Sequence, residues 1–137
     1  MDFREIIAEG NQAVWLDLAQ DIANRNEVRV MQQPESCTVM LQAIDSVGLT
    51  PFYLGEVLVT EASVAIGNSI GYGFVMEDDP QQALCMAIID AALAAGLPDD
   101  DLIRKRIAAE AALIAVRQRQ EDALIAATRV NFEIMEG

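Results

Sequence analysis

The sequence contains no histidine. That removes the commonest general base and the commonest metal ligand, and with them every Ser-His or Cys-His nucleophile pair. Its two cysteines, Cys37 and Cys85, show no CxxC or other metal-ligand spacing and read as two buried, reduced thiols. Basic residues are scarce: 9 Lys and Arg against 22 Asp and Glu leave a net charge of −13. Such a chain is repelled by nucleic acid and by anionic membrane surfaces, so neither is expected as a partner, whereas basic protein surfaces are. A triphosphate pocket built from this chain alone would be electrostatically handicapped. Aromatic residues are 5% of the chain, too few for stacking platforms. No apolar run approaches the ~18 residues that a membrane span needs. The start, Met1-Asp2-Phe3-Arg4-Glu5, is not the basic segment and apolar core of a secretory signal, and a cytoplasmic location is expected.

What is present is apolar and small. The 137 residues suit one domain spanning 1–137. Apolar residues make up 53%, above the usual ~45–50%, and Ala, Ile, Leu and Val supply most of them. That is enough for a core, with apolar surface left over for a partner.

The order along the chain predicts helix, then strands, then helix. A helical pattern runs from Asp2 to about Asn26, interrupted at Gly10-Asn11, with Asn11 as N-cap of a second helix carrying Val14, Trp15, Leu18, Ala19 and Ile22 on one face. Val28–Met31 reads as a short strand, Gln33–Ser36 as a turn, and Cys37–Ile44 as a second strand. After a loop at Asp45–Pro51, Phe52–Ile66 is the longest strand-like stretch, with Gly55 marking a bulge or a close backbone approach. Gly67-Asn68 is a hairpin turn and Ser69–Met76 the return strand. Asp79 and Pro80 open a helix that Gly96 closes near Ala95. Pro98–Asp101 opens a long last helix, patterned through Leu102, Ile103, Ile107, Leu113, Ile114, Val116, Leu124 and Ile125, with Arg117 and Glu121 spaced as an i,i+4 pair. From Arg129 the helical pattern is lost, and the tail is expected to extend onto another surface. The fold class is α+β: an antiparallel sheet of three to five strands flanked by helices, with a helical N-terminal segment and two C-terminal helices.

The chemically suggestive clusters have plain readings. Asp99–Asp101 and Glu77–Asp79 stand at helix starts, where carboxylates favour the positive end of the dipole. Ile70-Gly71-Tyr72-Gly73 lacks the basic residue and following helix of a phosphate loop and reads as a glycine-rich strand edge. Arg104–Arg106 is compensated by neighbouring acids. Glu56 and Glu61, five apart on one strand, point to opposite faces and form no carboxylate pair. Asp90 sits in an apolar helix on a stripe with Gln82 and Met86, which reads as a narrow solvent face or an interface contact. No residue qualifies as catalytic, cofactor-binding or metal-ligating on this reading.

Three stretches, taken in order, resemble one family. Thr50-Pro51-Phe52-Tyr53-Leu54-Gly55-Glu56-Val57-Leu58-Val59-Thr60 is similar to the PFNLGE-type strand of the PhnG family, the G subunit of the carbon–phosphorus lyase complex. Ile70–Val75, the acidic turn after it and the helix with Ile89-Asp90-Ala91-Ala92-Leu93 resemble that family's next strand and helix. Ala127–Met135 is similar to its Thr-Arg-Val-Asp-Phe-Phe-x-Met tail. The match marks Gly55, Glu56, Thr60, Gly71, Gly73, Asp90, Thr128, Arg129, Phe132 and Met135 as motif and interaction candidates. The resemblance implies an accessory, structural subunit that assembles with the H, I and J subunits, with K and L as further partners. The assembly supports displacement of adenine from ATP by a phosphonate, giving a ribose 1-phosphonate 5-triphosphate. ATP is thus implied for the complex, and no cofactor for this chain. The family is often basic where this chain has Glu61, Ala65 and Glu77–Asp79, and its Met-Val-Arg-Gly ending appears as Met135-Glu136-Gly137. A phosphate contact made by those basic residues would be lost here. Those departures motivate an alternative reading, a stand-alone homodimeric binding or regulatory module, and a homodimer is also expected of the chain when isolated.

Overall fold

The computed structural model describes residues 3–98 and 100–136, with side chains described as far as Thr128. Helices α1 (Phe3–Glu9) and α2 (Gln12–Arg25) precede strands β1 (Val28–Ile44), β2 (Pro51–Ile66) and β3 (Ser69–Val75), and helices α3 (Pro80–Ala95) and α4 (Asp100–Glu136) follow. The strands form one three-stranded antiparallel sheet in the order β1-β2-β3. This is the expected α+β architecture, at the lower end of the expected strand number.

Local chemistry sets most boundaries. Asn11 caps α2 by accepting from the Ala13 N–H at 3.0 Å. Asp79 caps α3 by accepting from the Gln82 N–H at 3.0 Å, Pro80 occupies the first turn, and Gly96 ends the helix in the left-handed conformation at φ 62°. Gly55 adopts φ 150°, and opposite it the ladder steps from Leu41↔Gly55 to Gln42↔Tyr53, leaving Leu54 as the extra residue of the expected bulge.

Two expectations about the backbone are corrected. The turn at Gln33–Ser36 does not occur: β1 runs unbroken for 17 residues, and register shifts between Val30 and Gln32 and between Gln32 and Glu35 absorb the irregularity. Pro34 falls inside that interruption on an edge strand, where its missing N–H costs the ladder nothing. The tail beyond Arg129 does not leave the helix either, since α4 continues to Glu136. Neither Gly nor Pro stands between Pro98 and Gly137, so nothing in the backbone stops the helix there.

The core lies between the sheet and α3, and between α3 and the other helices. Trp15, Ile7, Met86, Ile89 and Ile114 are its largest fully buried side chains. Trp15 is therefore core, although its Nε1–H has no hydrogen-bond partner among the described residues. Burial of α3 extends round most of its circumference, as its high apolar content requires. Its Ala83, Ala87 and Ala91 face β3, where Gly71 and Gly73 let backbone meet backbone. A Cβ on Gly71 would collide with the Ala87 carbonyl and the Ala91 N–H group, and one on Gly73 with the Ala83 carbonyl. Among the described residues of α4, Ile103, Ile107 and Ile114 are the buried ones, and beyond Ile114 none is buried. Leu124 and Ile125, expected in the apolar pattern of a packed helix, are exposed because α4 outruns the body it packs on. The distal half of the β1–β2 hairpin likewise projects without a covering helix, with Met40, Leu41, Phe52, Tyr53 and Leu54 exposed.

Gly71→Ala and Gly73→Ala should each destabilise the fold by about 1–3 kcal/mol, the cost of overpacking against a surface that cannot yield. Gly67→Ala, with open space around it, should cost only the strain of its positive φ. Urea unfolding of the three variants would rank them.

Candidate functional site

The outer edge of β3 would expose unpaired backbone donors, and α3 supplies their acceptors. The Tyr72 N–H donates to Asp90 Oδ2 at 2.9 Å, and the Phe74 N–H to Met86 Sδ at 3.4 Å. Asp90 Oδ2 also pairs with Arg4 Nη2 at 3.2 Å, and the Arg4 guanidinium lies 4.8 Å from the Phe3 ring centre. The stripe Gln82–Met86–Asp90 is therefore not a solvent face. Gln82 and Met86 are buried, and the Asp90 side chain is only 19% exposed. The stripe runs over the sheet edge beneath α1, because the glycines bring α3 too close to β3 for water to fill the gap. One carboxylate thus seals an edge strand and anchors the first helix.

A second polar knot joins β1 and β2 to the turn that opens α3. Thr60 is fully buried in the centre of β2. Its Oγ1 donates to the Glu77 carbonyl at 2.5 Å and accepts from the Asp79 N–H at 3.1 Å. Ser36 Oγ lies 3.2 Å from Thr60 Oγ1 and donates to Asp78 Oδ1 at 2.5 Å. Each hydroxyl has one proton, and both protons already face acceptors that cannot donate, so the Ser36–Thr60 approach is a close contact rather than a third bond. Glu77–Asp79 is accordingly more than a solvated run at a helix start: its backbone and side chains hold the turn that aims α3.

Elsewhere the structure separates the candidates. Gly55 and Glu56 sit on the projecting hairpin, with Glu56 exposed opposite Met40. Thr128 lies on the exposed part of α4, its hydroxyl donating to the Leu124 carbonyl at 2.9 Å in the i−4 manner that loosens a helix. Arg129, Phe132 and Met135 continue the α4 backbone, and their side chains lie outside the described residues, as does Asp99 altogether. Arg104 pairs with Asp100 at 2.9 Å, the expected local compensation. Arg117 does something else than the i,i+4 spacing suggests, donating from Nη2 to the Glu9 carbonyl at 3.1 Å and tying α4 to the end of α1. Cys37 is exposed on β1, against the expectation of burial, whereas Cys85 is buried. Burial, and then the charge of Asp79, push the Cys85 thiol above its ordinary value, so it stays protonated and unreactive.

Among the described residues no group of three or more His, Cys, Asp or Glu side chains could hold a metal ion, and no helix is long and apolar enough to cross a membrane. An open groove of about 510 Å³ runs between α1 and the end of β3, lined by Arg4, Ala8, Phe74, Met76 and Met86 among others, and places no nucleophile beside a base. Arg4 and Ser36 are the partners that sequence reasoning missed. Each reaches its acceptor from a distant part of the chain, and no local spacing announces either.

A family model described as "Phosphonate metabolism protein PhnG" matches residues 2–137. The alpha-D-ribose 1-methylphosphonate 5-triphosphate synthase subunit PhnG of Rhizobium meliloti (strain 1021) is 32% identical over 124 residues, covering 88% of this chain and 78% of that protein.

Asp90→Ala should destabilise the fold by about 2 kcal/mol, since it leaves the Tyr72 N–H and Arg4 without their acceptor. Asp90→Asn keeps an acceptor for Tyr72 and should cost about half as much. Thr60→Val should cost about 2 kcal/mol by leaving the buried Glu77 and Asp79 backbone groups unpaired. Denaturant midpoints would give the order, and equal losses for Asp90→Ala and Asp90→Asn would contradict the edge-sealing role.

Proposed function

Because the chain belongs to the PhnG family of phosphonate metabolism proteins, we propose that it is an accessory, structural subunit of a synthase that makes alpha-D-ribose 1-methylphosphonate 5-triphosphate from ATP and a phosphonate, within the carbon–phosphorus lyase machinery. The observation that carries this reading is the family match across residues 2–137. The partners are the H, I and J subunits, with K and L joining them, and the assembly works in the cytoplasm. ATP enters at the assembled complex. A net charge of −13 is a poor environment for a triphosphate unless other subunits supply the cations.

The candidate residues take two roles on this reading. Thr60, Gly71, Gly73 and Asp90 keep the body rigid, so that what projects from it is held at a fixed angle. Gly55 and Glu56 on the hairpin, and Thr128, Arg129, Phe132 and Met135 on α4, meet other subunits. Residues 1–137 act as one PhnG-like domain.

Co-expression with the H, I and J subunits, tagging this chain alone and measuring the eluted mass by light scattering, tests the proposal. The expected result is a defined hetero-oligomer that forms the ribose phosphonate triphosphate, while this chain alone shows no turnover. Deleting Asn131–Gly137, or Phe132→Ala, should weaken assembly about tenfold or more, as loss of an interface anchor does, while the melting temperature stays unchanged. A lone homodimer, with the other subunits assembling among themselves, would overturn it.

A further inference from the structure

The sheet has two faces, and α3 covers one of them over β3 and the adjoining half of β2. Gly71, Gly73 and Val75 of β3 point at α3, so the alternation of a strand sends Ile70, Tyr72 and Phe74 to the opposite side. Register carries that face across the sheet. Ile70 pairs with Ala65, Tyr72 with Ser63 and Phe74 with Glu61. Further out along the hairpin, Val39 pairs with Val57, Leu41 with Gly55 and Ala43 with Phe52. An antiparallel sheet with one solvated face alternates apolar and polar residues. Here the outward set is largely apolar too: Val39, Leu41, Phe52, Ile70, Tyr72 and Phe74 are between 37% and 58% exposed and flank Val59, Ser63 and Ala65, which lie buried between them on the central strand. The surface total agrees. The chain exposes 9013 Å², about 2000 Å² more than the ~7000 Å² of a compact monomer of 14.9 kDa. That excess is spread over the bare sheet face, the projecting hairpin and the part of α4 beyond Ile114.

The face also says what charge its occupant carries. In its middle Glu35 stands directly opposite Glu61, and neither has an ion-pair partner among the described residues. Like charges directly across a ladder repel. A second copy would bring its own Glu35–Glu61 pair, and its own net charge of −13, to the same place. We infer that the uncovered sheet face, continuous from β3 to the hairpin, is the seat of a different subunit, one with an apolar surface that inserts a Lys or Arg between Glu35 and Glu61. This rests on the subunit reading above and adds to it the face, the kind of partner and the contact at its centre.

The test uses the full chain co-expressed with the synthase subunits, with Glu61→Lys, Tyr72→Asp and Leu41→Asp on the face and Leu102→Asp on exposed α4 as control. Circular dichroism melting checks that each variant folds, and the distance between Leu41 and Tyr72 in the fold guards against one local failure. Tyr72→Asp and Leu41→Asp should each weaken assembly about 100-fold, because an unpaired carboxylate is buried against apolar surface. Glu61→Lys should weaken it about tenfold or more by facing the partner's cation with another. Leu102→Asp should leave it unchanged. Assembly that survives all three face variants would overturn the proposed seat while leaving the subunit reading intact. So would a homodimer that the face variants abolish while the hetero-complex persists. No complex with the wild-type chain would remove both readings together.

Discussion

At Gly71 and Gly73 the backbone of β3 lies directly against the backbone of α3, through Ala83, Ala87 and Ala91. Nothing else in the chain could be substituted at those two strand positions without pushing the helix off the sheet. The consequences spread outward. With α3 this close, its next stripe, Gln82–Met86–Asp90, overhangs the strand edge and takes the edge N–H groups that water would otherwise hold. Asp90 then pairs with Arg4 and fixes α1. The far side of α3 is left to α2 and α4, whose Trp15, Ile103, Ile107 and Ile114 complete the core. The small side chains that look like poor packing material are what permit a helix to be buried nearly all round.

Sealing one edge of the sheet contrasts with what happens at the other. β3 is short, glycine-rich and capped by side chains from a helix, the usual defences of an edge strand. β1 is 17 residues long and carries an apolar hairpin away from the body. α4, at 37 residues, reaches about 55 Å and, among its described residues, is buried only over its first turns. A chain that spends so much apolar sequence on surfaces outside its own core is built to have them covered. The architecture therefore supports an organising role, a compact body holding two long elements in a fixed relation.

The chemistry is consistent with that division. Asp79 serves as a helix cap and Asp90 as a clasp, and the buried Cys85 thiol is held protonated. Family membership places the chain among phosphonate metabolism proteins. The acid that looked most like a functional group in isolation, Asp90, is committed to the fold, and the acids that face outward, Glu35 and Glu61, are ordinary strand residues whose meaning comes from their opposition across the ladder.

Periodicity, caps and turn residues determined nearly all the elements. Asn11, Asp79-Pro80, Gly96 and Gly67-Asn68 act on backbone groups within a few residues of themselves, so their effect is legible in a local window. The ordered motifs from Thr50 onward determined the family for the same reason, as they are strings along the chain. Pro34 and the tail beyond Arg129 misled. A proline reads as a turn unless one knows that its strand is an edge, and a mixed polar tail reads as irregular although nothing in it breaks a helix. Which carboxylate is structural, which cysteine is exposed and which sheet face is bare were decided only by tertiary structure. Arg4 and Asp90 lie 86 residues apart, Thr60 and Asp79 19, and Ser36 and Asp78 42, and burial depends on which elements stack. Side-chain chemistry is local to the sequence, whereas solvation and partners are properties of the folded arrangement, and these set what a charged or apolar residue does.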